Sequence, residues 1–145
     1  MLNSFGGFIK EVVMIHRIEV STKAREELVD ITGKIQDVIQ KSGVESGVAI
    51  MYVPHTTAAV TINENYDPSV QRDITSTLSR LIPHSAHYAH TEGNADAHIK
   101  AAIVGSSRAV FFENNKIAFG TWQGIFFCEF DGPRTRNIFV KIIKD

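Results

Sequence analysis

The last forty residues most restrict what this chain can become. Val110-Phe111-Phe112, Ile117-Ala118-Phe119, Ile125 to Phe130 and Asn137 to Ile143 are four short runs rich in β-branched and aromatic residues. Runs of this kind read as strands. Asn114-Asn115 and Asp131-Gly132-Pro133 supply turns between them. Parallel neighbours need a crossover of a dozen residues or more, so strands this closely spaced pair antiparallel.

The chain upstream is organised differently. Val12 to Val20 is apolar enough for a first strand. Residues 23–41 read as a helix, because Leu28, Ile31, Ile35, Val38 and Ile39 recur on one helical face. Ser21 and Thr22 suit its cap, Glu26 and Glu27 its positive end, and Gly43 its left-handed exit. Gly47 to Val53 is nearly all apolar, which predicts a strand covered on both faces. Ala58 to Ile62 predicts another strand. Asp67-Pro68 starts a second helix, with Val70, Ile74, Leu78 and Leu81 as its stripe and Pro83 as its stop. A polar, histidine-rich loop fills residues 84–96, and Ala97 to Val104 is a short helix closed by Gly105. Strands, helices and then an antiparallel run point to an α+β fold rather than a doubly wound sheet.

The 145 residues suit one domain, 1–145. Met1 to Met14 reads as a loose arm over residues 1–13, or as an extension ahead of a start at Met14. It lacks the basic, apolar, small-residue order of a secretory signal. A net charge of −1, with basic and acidic residues intermingled, argues against a nucleic-acid binder, which would show a basic face. No apolar run reaches the roughly 18–20 residues that a membrane span needs. The one cysteine, Cys128, lies in the apolar run Gly124-Ile125-Phe126-Phe127-Cys128 and reads as a small buried hydrophobe in a reducing, cytosolic compartment.

Six histidines carry the chemistry worth sorting. His16 reads as structural or surface, and His84 and His87 as solvated loop residues. His55 projects from a strand end, His90 sits in the polar loop beside Glu92, and His98 opens the short helix. Three imidazoles from three elements can meet at one metal ion and leave a fourth position for water. Glu64, Asp67, Glu92, Asp96 or Glu129 can then orient a ring. The spacing matches no established metal signature, so a metal site and a set of hydrogen-bonded loop histidines both stay open.

Two further groups concern anions and protons. Gly105-Ser106-Ser107 and Gly120-Thr121-Trp122-Gln123-Gly124 are small polar turns able to cradle phosphate through backbone N–H groups. Thr56, Lys100, Ser106, Ser107, Thr121, Gln123, Arg134 and Arg136 can supply charge and hydrogen bonds. From the residues alone, ordinary strand connections with a basic rim are the better reading of these turns. Trp122 reads as a core anchor rather than a ligand platform. In Asn63-Glu64-Asn65-Tyr66-Asp67, Asp67 has a local role as helix cap, while Glu64 has none and is the better acid or base.

Taken together, His55-Thr56-Thr57-Ala58-Ala59-Val60-Thr61-Ile62-Asn63-Glu64-Asn65, Asp67-Pro68, Glu92-Gly93, Ala97-His98-Ile99-Lys100, Gly105-Ser106-Ser107 and Gly120-Thr121-Trp122-Gln123-Gly124 resemble the YjbQ family. Members are sometimes named secondary thiamine-phosphate synthase. The likeness runs from the first strand to the C-terminus. It implies an α+β fold built on a β-sandwich, with mixed or antiparallel sheets, two long helices and one short one. It also implies a homotrimer and a pocket in which His55, His90 and His98 hold zinc or another divalent metal, with Mg as the partner of a diphosphate substrate. Gly93-Asn94-Ala95-Asp96-Ala97-His98 is shorter than the form with a Met-Pro pair that many members carry.

The function expected is therefore action on a small phosphorylated or anionic substrate, with thiamine-phosphate synthase-like transfer as the specific form. Glu64 and Asp67 are the catalytic candidates. Thr56, Lys100, Ser106, Ser107, Thr121, Gln123 and Arg134 are the anion-binding candidates. The alternatives are a non-catalytic trimeric module that binds a ligand or metal, and a metal-assisted hydrolase.

Overall fold

The structure is a computed structural model and describes residues 15–145. The expected arm over residues 1–13 and the start of the first strand at Val12 lie outside the described residues.

Two antiparallel sheets form the body. One has five strands: β1 (Ile15–Ser21), β3 (Gly47–Tyr52), β5 (Ser107–Glu113), β6 (Lys116–Ile117) and β8 (Thr135–Lys144), in the order β1-β8-β3-β5-β6. The other has three: β2 (Glu27–Asp30), β4 (Ala58–Glu64) and β7 (Gln123–Glu129), in the order β2-β7-β4. Between them lies one core. Val20, Ala49, Met51, Val110, Phe112, Ile138 and Val140 come from the large sheet, and Ala58, Val60, Ile125 and Phe127 from the small one. The helices are α1 (Thr32–Ser42), α2 (Pro68–Leu81) and α3 (Ala95–Val104). Helix α1 adds Ile35 and Ile39 to the core, while α3 packs Ala97 and Ala101 against Ala59, Cys128 and Phe130 on the small sheet's outer face.

The α+β architecture agrees with the expectation, and so does the sandwich. Asn114 and Asn115 both take positive φ (51° and 61°), as a two-residue hairpin turn with right-handed strands demands. Asp67 caps α2 by accepting the Ser69 N–H at 2.9 Å.

Four expectations need correction. The helix expected over 23–41 holds only in its second half: Glu27 to Asp30 is a strand paired with Phe126 to Glu129, and α1 begins only at Thr32. Asp30 marks the junction by accepting both the amide and the hydroxyl of Thr32. Residue Thr22 does not cap a helix; its hydroxyl donates to Glu129. The strand over Gly47–Tyr52 is covered on one face only, because Ile50 and Tyr52 point outwards and are exposed. Leu81, assigned to the buried stripe of α2, is 70% exposed.

Gly47 opens β3, opposite Lys144 at the end of β8. A Cβ there would overlap the backbone carbonyl of Ile143, which cannot swing aside as a side chain can. Gly47→Ala should therefore destabilise by about 1–3 kcal/mol, the range for overpacking a well-filled site, as read by urea unfolding. A change under a few tenths of a kcal/mol would mean that β8 is free to shift.

Candidate functional site

Strand β4 sorts the candidate residues into two groups. Its seven residues from Ala58 to Glu64 span roughly 20 Å at about 3.3 Å per residue. His55, Thr56 and Thr57 precede its start. Glu64, Asn65 and Asp67 lie at and beyond its end. The Gly120–Gly124 turn is tied to that far end, where Asn65 N–H donates to the Trp122 carbonyl and Glu64 pairs with Gln123. Thr121 and Gln123 are exposed there, and Gln123 Oε1 accepts the Gly120 N–H. Trp122 is no core anchor. It is 53% exposed and leans on Tyr66, with ring centres 5.1 Å apart. The indole needs a polar outlet, and the turn holds it in solvent.

At the near end stands a buried ion pair that the sequence reading passed over as a pair. Glu129 is fully buried on β7. It accepts from Arg136 Nε and NH2, from the Thr22 hydroxyl and from the amides of Phe130 and Asp131. Burial alone would raise the carboxyl; the Arg136 and Thr22 bonds outweigh it and hold it below its ordinary value. Arg136 also donates to the Thr57 hydroxyl at 2.8 Å. His55 stands beside this pair. Its Nε2 accepts the Asn137 backbone N–H at 2.9 Å. Burial, aided by Arg136, lowers its pKa, so the ring is neutral at pH 7. A neutral ring whose Nε2 accepts carries its proton on Nδ1. His55 is thus a hydrogen-bond donor in this arrangement, with no lone pair free for a metal.

Helix α3 brings in the other two histidines. His90 and His98 meet edge to face, their ring centres 5.2 Å apart and their planes at 87°. Glu92 Oε2 lies 3.7 Å from His90 Nε2. The pair opens on a cavity of about 360 Å³ lined by Tyr88, Ala89, His90, Ala95, His98 and Ile99. His55 is not among its lining residues. Among the described residues no three His, Cys, Asp or Glu side chains are grouped so as to hold a metal ion. The structure therefore brings together two of the three expected ligands.

The anion-binding candidates are dispersed. Lys100 is buried between Glu26 and Asp96, both of which it contacts directly. Its charge is spent inside the protein, not offered to a ligand. Arg134 pairs with Asp131 at 2.9 Å. Ser106 and Ser107 are exposed, and the Ser106 carbonyl accepts the Val53 N–H. Asp96 is also buried; its bonds to Arg25 and Lys100 overcome burial and lower its pKa. The i, i+4 spacing of Asp96 and Lys100 on one helix was the sequence signal for this pair.

A family model described as "UPF0047 protein YjbQ-like" matches residues 16–145. The chain belongs to the YjbQ-like UPF0047 family. UPF0047 protein MJ1081 of Methanocaldococcus jannaschii is 54% identical over 134 residues, covering 92% of this chain and 97% of that protein. UPF0047 protein YugU of Bacillus subtilis is 44% identical over 131 residues, covering 90% and 99%. A crystal structure of a YjbQ/UPF0047 protein from Clostridium acetobutylicum superposes with a TM-score of 0.87 at 48% identity, covering 88% of this chain and 99% of that one. The UPF0047 fold thus accounts for nearly the whole chain.

Stability should fall in two steps as pH is lowered, in a fixed order. His55 is harder to protonate folded than unfolded, so its contribution is complete above about 6.5 and is lost as pH falls below it. Glu129 and Asp96 are easier to ionise folded, so their contribution is lost only in stronger acid, as pH falls through their lowered folded values. Arg136→Ala should cost about 3–5 kcal/mol at pH 7, because it strands a buried carboxylate. Its deficit should shrink in acid as Glu129 takes a proton. Urea titrations of both proteins from pH 8 to pH 3 check this; a deficit constant with pH would mean that Arg136 acts by packing alone.

Proposed function

We propose that the His90–His98 corner binds a divalent cation, zinc in preference to magnesium, and that the adjoining cavity takes a small phosphorylated or otherwise anionic substrate. The observation that carries this reading is the geometry of the two rings. Imidazole nitrogens about 2.0–2.1 Å from a tetrahedral zinc put two ring centres roughly 5 Å apart; the rings here are 5.2 Å apart and edge to face. Two nitrogen donors suit zinc, whereas magnesium prefers oxygen ligands and water and would enter only with a diphosphate. When bound, such an ion supplies charge neutralisation for a phosphate or a leaving pyrophosphate.

In this reading the protein's own groups bind and orient. Glu92 supplies a carboxylate beside His90. His55 lies outside that cavity's lining and keeps Nδ1–H as a donor, held in that tautomer by the Asn137 amide. Glu64 remains the candidate for proton transfer, but β4 separates it from His55 by the strand's length within one chain. Asp67 is engaged as the α2 cap, so its catalytic role recedes. A homotrimer resolves the separation if the Glu64 and Trp122 end of one copy meets the histidine end of the next. Assembly as such, by whichever contact, is supported by the outer face of the large sheet, where Tyr52, Phe111 and Ile143 are exposed, Phe111 by 70%. Contiguous exposed apolar residues mark interaction surfaces. Transfer of the thiamine-phosphate synthase type is the form that the family resemblance suggests. A cytosolic setting agrees with the free, buried Cys128 thiol, and among the described residues no helix is long and apolar enough to cross a membrane.

A non-catalytic binding module is the second reading. It is favoured by the neutralisation of Lys100 and Arg134 within the protein, which leaves fewer cations to hold a substrate.

Zinc titration of His90→Ala and His98→Ala decides the first point. Each should weaken zinc binding by more than the 10–100-fold typical of outer-shell changes, while His55→Ala should retain zinc. Undiminished zinc affinity in both corner variants removes the reading. Tyr52→Glu combined with Phe111→Glu should yield monomers by light scattering and abolish turnover with zinc binding unimpaired at the two-histidine level; an intact assembly would place the contact elsewhere.

A further inference from the structure

The outer face of the small sheet holds a second cavity, of about 310 Å³, which shares no lining residue with the histidine pocket. It lies between α2 and the sheet. Helix α2 has an apolar stripe, yet none of its side chains is fully buried. Ile74, Leu78, Leu28 and Phe130 line the space, and Leu78 packs against the cluster that holds Phe130 without filling the space. Well-packed interiors contain few voids larger than a water molecule. This one falls within the range of small-molecule sites, roughly 300–1,000 Å³.

The lining states what fits. Thr61 and Asn63 from β4 and Thr77 from α2 give the cavity a polar margin. Asn63 Oδ1 is engaged by the Glu64 N–H, which leaves its amide NH2 to donate. No Asp, Glu, Lys or Arg lines the space. Cys128 forms part of its wall.

We propose that this cavity is a binding site for a small uncharged molecule with an apolar body and one hydrogen-bonding head. The body rests on Leu28, Ile74, Leu78 and Phe130. The head meets Thr61, Asn63 and Thr77. A charged ligand is excluded, because nothing in the lining offsets the cost of stripping its water. Binding would draw α2 onto the sheet.

Benzyl alcohol is a suitable probe, with benzoate as its charged counterpart. Millimolar benzyl alcohol should raise the Tm of the full chain by a few degrees and benzoate should not. Thr77→Phe, which projects a ring into the cavity, should remove the response to benzyl alcohol. Labelling of Cys128 by methyl methanethiosulfonate, followed by mass spectrometry on the unmodified sequence, gives an independent reading. Burial pushes this thiol up to about 12, so the reaction is slow and easily timed. Benzyl alcohol should slow it severalfold. The proposal is overturned by an unchanged labelling rate, by an equal Tm rise with benzoate, or by an equal rise in a folded Thr77→Phe protein. If Thr77→Phe does not fold, the labelling rate decides.

Discussion

The two sheets are joined at one end by a buried carboxylate and a buried guanidinium. Glu129 belongs to the small sheet and Arg136 to the large one, and their bonds reach Thr22 after β1 and Thr57 before β4. Desolvating two charges is expensive, so such a pair is weak evidence for net stability. What it provides is uniqueness. Neither group can be left unpartnered in that interior, so a sandwich with its sheets slipped by one residue is strongly disfavoured. The same constraint fixes His55, because Asn137, which donates to it, directly follows Arg136 on β8.

A second, partly buried network does the same for the helices. Asp96 and Lys100 on α3 meet Arg25 and Glu26 in the segment ahead of β2, and Glu26 continues to Ser79 on α2. Charges of opposite sign balance inside it. Its location explains why α3 begins where it does: Asp96 must reach Arg25, and this sets the first turn on which His98 stands. The helix that brings His98 to the two-histidine corner is thus anchored by charges that pair with one another inside the protein.

Much of this was legible from the residues, and the failures have definite causes. The Asn-Asn hairpin and the Asp-Pro helix start were readable because local backbone chemistry alone decides them. The stretch 23–41 was misread because Leu28, Ile31 and Ile35 fit a helical stripe, although Leu28 and Val29 satisfy a strand equally well. Pairing with β7, far away in sequence, decided that contest. Glu129 was visible as a lone charge inside Ile125–Phe130, and a charge in an apolar strand requires a buried partner. Its partner, Arg136, is seven residues away, where sequence alone reads it as part of a basic rim. Lys100 reads as a rim residue for the same reason, although Asp96, one helical turn earlier, offers it burial with neutralisation.

The separation of the candidate residues is the most consequential outcome. Motifs that cluster by type, the histidines at one end and the Glu64 and Trp122 group at the other, are held apart by β4, whose extended backbone cannot shorten. Side-chain rotation moves atoms by a few ångströms and cannot bridge roughly 20 Å along a strand. Either the two groups serve separate tasks, or they are joined between copies. The exposed Tyr66–Trp122 pair bears on that choice, since an aromatic pair left in water gains stabilisation when a second surface covers it. Its neighbours Glu64 and Gln123 would be covered with it. Assembly would then create a site that the single chain contains only in halves, and the buried ion pairs would keep each half in register.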